Sequence, residues 1–107
     1  MIDFVVAYDK LANLQEAEEI ANLFRGYNVK AIPGESHACA ISVWMKDQTN
    51  LDIVTNREIV RAVTFEDDYI CYKTVSGMSR ALTYAMRQFI WKFDQGLYPE
   101  LIEFDCE

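Results

Sequence analysis

The stretch Arg57–Val75 reads REIVRAVTFEDDYICYKTV. Ile59, Arg61, Val63 and Phe65 alternate with Val60, Ala62 and Thr64, the period-two pattern of a strand whose side chains point to opposite faces. Tyr69–Val75 is a second β-rich run, separated from the first by the polar residues Glu66, Asp67 and Asp68. Two such runs around three polar residues predict an antiparallel hairpin. A competing reading makes Asn56–Val63 helical, because Thr55 and Glu58 stand in capping-box spacing. The β-branched content favours the strand.

Reading outward towards the N-terminus, Leu51–Val54 continues the sheet beyond a turn cluster, Asp47-Gln48-Thr49-Asn50. Ala38–Met45 reads as a strand with Cys39, Ile41, Val43 and Met45 on one side, and Val29–Ile32 as a short strand closed by Pro33-Gly34. Leu14–Arg25 predicts a helix, with Asn13 as N-cap, Glu16 in capping-box spacing and Gly26 ending it in a left-handed turn. Its buried face is Ala17, Ile20, Ala21 and Phe24. Glu16, Glu18 and Glu19 crowd its first turns, where carboxylates favour the helix dipole, and that placement explains them without a site. Ile2–Tyr8 alternates and reads as a strand, with Ile2, Phe4, Val6 and Tyr8 on one face.

Towards the C-terminus, Met78–Phe93 predicts a helix capped by Ser76 or Ser79 and ended by Gly96. After it comes an apolar and acidic tail, Leu97–Glu107, whose Tyr98, Leu101, Ile102 and Phe104 are suited to fold back onto the body. The element order predicts one α+β domain over residues 1–107. It is a meandering antiparallel sheet packed against two α-helices, with the 97–107 tail folded onto it.

Composition supports a packed core: half of the 107 residues are hydrophobic (51%), which excludes a disordered chain. The 2 Trp, 6 Tyr and 6 Phe exceed what so small a core needs, so some aromatics are expected at the surface. The net charge of −7 argues against direct binding to nucleic acid or to an anionic membrane. It suits a basic partner, although simple solubility also accounts for it. Cys39, Cys71 and Cys106 contain no CxxC pair and fit a reducing cytosol better than a disulfide scaffold. The start, Met1-Ile2-Asp3-Phe4, lacks the basic region of a signal peptide, and no apolar run approaches the ~20 residues of a membrane helix. A cytoplasmic protein is expected.

Catalytic motifs are missing from the pattern. His37 is the one histidine, so a Cys–His pair would have to use it with Cys39, and Glu35 is the nearest acid to orient it. Neither GxGxxG nor GxxxxGK[ST] occurs, and the adjacent Asp67 and Asp68 would point apart on a strand. No enzyme activity, cofactor or metal is expected.

Two surface features stand out. On the predicted second helix, Met78, Leu82, Ala85, Met86, Phe89 and Phe93 form a core stripe. Arg80, Tyr84, Arg87 and Trp91 lie on the far side within about 60° of arc. Arg, Tyr and Trp are enriched at binding hot spots, so these four are expected to dock a partner or a second copy of the chain. The alternative is that the tail covers Tyr84 and Trp91 while its acids pair with the arginines. The second feature is acidic: Glu66, Asp67 and Asp68 at the hairpin tip, with Asp94, Glu100, Glu103, Asp105 and Glu107 near the end. Together they would resemble a phosphate array, although a polar turn and a solvated terminus are the preferred explanation.

Leu14–Phe24, then Ala38-Cys39-Ala40-Ile41-Ser42-Val43-Trp44, then Ser79-Arg80-Ala81-Leu82 give a helix, sheet, helix pattern. That pattern resembles small bacteriophage accessory proteins. The resemblance implies a non-enzymatic inhibitor that binds a nucleic-acid-handling host or defence protein, in the manner of anti-CRISPR or anti-restriction proteins. A homo-oligomerising structural protein and an immunity protein neutralising a toxin are the alternatives.

Overall fold

A computed structural model describes residues 1–36, 38–66 and 71–103. The hairpin at its centre is as the alternation predicts: β2 (Ile59–Glu66) pairs antiparallel with β3 (Cys71–Ala81). On the other side of β2 lies β1 (Asp52–Thr55), so the sheet is a three-stranded antiparallel meander in the order β1-β2-β3. The turn between β1 and β2 is held by Asn56, whose Oδ1 accepts from the N–H groups of Glu58 and Ile59, both at 2.7 Å. This is the local side-chain turn that asparagine favours.

β3 runs further than expected. Ile59 pairs with Ala81, Val60 with Arg80 and Arg61 with Ser79, which claims for the sheet residues that the helical period had assigned to a helix. The register then slips: the next pair is Val63 with Thr74, so residues 75–78 oppose Ala62 alone. Gly77 sits in this bulge at φ +79°, where a residue without Cβ is unstrained.

The α+β class stands, but among the described residues four α-helices pack with the sheet, where the sequence predicts two. The first correction is α1 (Phe4–Ala12), which replaces the expected strand Ile2–Tyr8. The Asp3 carboxylate accepts from the Val6 N–H at 2.9 Å and caps the first turn. Phe4, Ala7 and Leu11 are buried while Val5 and Val6 are exposed, so helical spacing overrides the alternation. The second correction is α3 (Ala40–Thr49), which replaces the expected strand Ala38–Met45. Ile41, Trp44 and Met45 fall on one helical face and are buried, and the expected turn cluster becomes the helix end. There Asn50 takes a left-handed φ of 60° and its N–H donates to the Lys46 carbonyl at 2.7 Å.

The helix α2 (Ala17–Gly26) is present but starts later than expected, with Glu16 rather than Asn13 as N-cap. Glu19 Oε1 accepts from the N–H groups of Glu16 and Gln15. Asn28, not Gly26, takes the left-handed turn beyond it, at φ 56°. The expected strand Val29–Ile32 contributes an isolated parallel bridge, Ala31 to Ile102. Finally α4 (Tyr84–Asp94) starts at the Thr83 cap, six residues beyond Met78, and neither Ser76 nor Ser79 caps it. Its end matches the expectation: the Leu97 N–H returns to Lys92 and the Gly96 N–H to Phe93, with Gly96 at φ +79°.

The core lies between α1–α4 and the inner face of the sheet. Phe24, Trp44 and Phe89 form its aromatic centre, with Phe24 edge-on to Phe89 at 5.2 Å. Tyr98 closes one side, stacked on Phe89 at 5.2 Å, and Leu101 in the 3₁₀ turn Pro99–Leu101 is buried beside it. Arg25 fixes this part of the tail through Glu100, at 2.5 Å, and stands over the Tyr98 ring. Among the described residues no helix is long and apolar enough to cross a membrane.

Candidate functional site

α4 is built as a two-sided helix. The Met86 N–H donates to the Thr83 hydroxyl at 3.2 Å, satisfying one of the amides a helix start leaves open. Ala85, Met86, Phe89 and Phe93 turn inward. Tyr84, Arg87 and Trp91 turn outward, and the two aromatics are 70% and 59% exposed. None of the described tail residues, 97–103, lines the grooves beside them: Tyr98 packs on Phe89 and Glu100 on Arg25. Of the four residues expected to form this stripe, Arg80 is therefore absent. It lies on β3, where its guanidinium donates to the carbonyls of Gly77 and Ser79 and braces the bulge.

In its place the fold supplies Arg57. The Leu82 N–H donates to the Glu58 carbonyl at 2.8 Å, tying the β1–β2 turn to the foot of α4. Arg57 on that turn then shares a concavity of about 370 Å³ with Arg87, Ile90, Trp91, Asp94 and Gln95. Asp94 Oδ1 is engaged by the Gly34 N–H at 3.0 Å. The ion pairs among the described residues use Arg25 and Lys46, so Arg57 and Arg87 have none. On the other flank of α4 a smaller groove, about 180 Å³, is lined by Glu16, Glu18, Tyr84, Gln88 and Lys92 with neighbours. Sequence reasoning missed Arg57 because it reaches the surface through a turn, not through a helical or strand period.

Next to the arginine concavity is a second one of about 200 Å³, which reaches Cys39, Thr55 and Ser36. At its Ser42 end the polar groups satisfy one another. Ser42 donates its hydroxyl hydrogen to the Ser36 carbonyl at 2.7 Å, and therefore accepts from Thr55 at 2.8 Å and from the Cys39 thiol at 3.7 Å. Cys39 is buried, at the start of α3 and not on the expected strand. His37 lies outside the described residues, and no group of three or more His, Cys, Asp or Glu among them is placed to hold a metal.

Of the expected acidic surface, Glu66 ends β2, and Asp67, Asp68, Asp105 and Glu107 lie outside the described residues. Glu100 is taken up by Arg25. Its own backbone N–H and then the Arg25 guanidinium hold the Glu100 carboxyl below the usual carboxylate range. Tyr98 moves the other way: burial, then the nearby Glu18 carboxylate, push its hydroxyl up to about 12. Both shifts arise from the packing of the tail. No family model, curated protein or solved structure matches this chain.

Proposed function

We propose that this chain is a non-enzymatic protein-interaction domain whose working surface is the exposed ridge of α4. One observation carries the reading. Trp91, 59% exposed, shares a concavity with Arg57 and Arg87, which have no ion-pair partner among the described residues, and Tyr84, 70% exposed, stands on the same ridge. Aromatic and arginine side chains concentrate binding energy, because they bring large rigid area and planar donors that gain when water is displaced. The remaining polar cluster, around Ser42, is internally satisfied among the described residues. Beyond docking, the net charge of −7 supports a basic partner of the kind that handles nucleic acid. The small size fits a protein that acts by covering such a partner, a phage-type inhibitor of a host or defence enzyme working in the cytoplasm.

The test is Tyr84→Ala with Trp91→Ala beside wild type, in quantitative capture from a bacterial lysate. Both residues are surface positions, so the double variant should keep its circular dichroism spectrum and melt within a few degrees of wild type. A protein retained by wild type and lost by the variant is the expected result. Identical recovery on both would remove the α4 ridge from the function.

A further inference from the structure

The two flanks of the α4 ridge carry opposite charge. At 100° per residue, Tyr84, Trp91 and Gln95 form the crest within about 40° of arc. Arg87 and Asp94 descend one flank towards Arg57, and Gln88 and Lys92 descend the other towards Glu16 and Glu18. Counting Asp94 against the two arginines and Lys92 against the two glutamates, the first flank stays positive and the second negative. Arg57 and Arg87 have no ion pair among the described residues. Glu18 has a long one, 3.8 Å to an Arg25 that is held more closely by Glu100, and it also neighbours the Tyr98 hydroxyl, yet its side chain stays 60% exposed.

From this arrangement we infer that the ridge docks on the same ridge of a second copy of this chain, with the two α4 helices parallel. The inference rests on the reading of α4 as the docking surface and names its occupant. Charge complementarity selects the copy, because one partner must offer an acidic and a basic groove at the spacing of a single helix. This surface offers both.

Symmetry selects the orientation. When two copies meet face to face, their two-fold axis lies in the plane of contact. An axis across the helices makes them antiparallel and sets each basic flank over the other basic flank. An axis along them makes them parallel and exchanges the flanks, so Arg57 and Arg87 of each copy face Glu16 and Glu18 of the other. Trp91 and Tyr84 then meet their own counterparts along the axis, and a closed pair leaves no second ridge to propagate a chain. Such a pair hides one basic and one acidic flank of each copy, so the outer surface keeps the acidic balance of the chain.

The experiment is sedimentation velocity on the full chain, from about 1 μM to a few hundred μM, the range for a modest interface. Wild type should reach dimer mass, and Trp91→Ala should weaken the dimer at least tenfold. Arg57→Glu with Arg87→Glu, and separately Glu16→Lys with Glu18→Lys, should each be monomeric, because like charges now face each other. Glu18→Lys alone is the milder second variant, since Glu16 also caps α2; it should weaken the dimer without changing the circular dichroism spectrum. An equimolar mixture of the two double variants should restore dimer mass, since both contacts become complementary again. Charge variants that dimerise as well as wild type, or a mixture that stays monomeric, would overturn the parallel arrangement. Wild type monomeric throughout would overturn the second copy as occupant. If the Tyr84→Ala and Trp91→Ala variant still loses a captured protein in that case, the docking reading stands alone. If it loses nothing, both fall.

Discussion

Single side chains in this protein divide by what surrounds them, and their substitutions should divide the same way. Phe89 is fully buried against Phe24, Phe93 and Tyr98, and truncation to alanine should cost about 3–5 kcal/mol in urea unfolding. Trp91, two residues on, is more than half exposed, and the same truncation should stay within about 0.5 kcal/mol. The tail residues give two pH signatures of opposite sign. Glu100 has a lowered pKa in the fold, so its contribution is whole above the ordinary carboxylate value and is lost as pH falls through the lowered one. Glu100→Gln should therefore melt lower than wild type at neutral pH, and the gap should close on acidification. Tyr98 has a raised pKa, so its contribution is whole below the ordinary value of about 10 and is lost as pH rises through about 12. Tyr98→Phe should flatten the alkaline fall in melting temperature. The spacing of Tyr84, Arg87 and Trp91 was readable from helical period alone, because all three belong to one helix. Arg57 was not, since only the Leu82–Glu58 hydrogen bond brings its turn to that helix.

Among whole elements, the hairpin and the core stripe of α4 were legible because their periods are long and undisturbed. The two lost helices show why short segments mislead. Ile2–Tyr8 alternates by accident, and what decides it is the Asp3 cap with the 4, 7, 11 spacing of buried residues. In Ala38–Met45 the β-branched Ile41 and Val43 favour a strand locally, but burying Ile41, Trp44 and Met45 together requires a helix. The start of α4 moved for a related reason. Ser76 and Ser79 have cap chemistry, but Ser79 pairs with Arg61 in the sheet, so Thr83 is the first residue free to cap. Thr83→Ala should accordingly lower stability by about 1 kcal/mol, and Ser79→Ala should change little, in parallel urea titrations.

At the scale of the whole molecule, residues 97–103 of the tail belong with the core. Tyr98 and Leu101 are buried and Ala31 bridges to Ile102, so removing residues 97–107 opens the side of Phe89. That truncation should cost at least the ~2–5 kcal/mol of one large core side chain, seen as a large drop in melting temperature or as loss of cooperative unfolding. The bulge in β3 has its own bearing at this scale. β3 is an edge of the sheet and, at 11 residues, its longest strand. A straight edge of that length offers an unbroken row of amides and carbonyls to any other extended chain, the template from which fibrils grow. The slip around Gly77, braced by Arg80, breaks the row into two short pieces that no single flat strand can match.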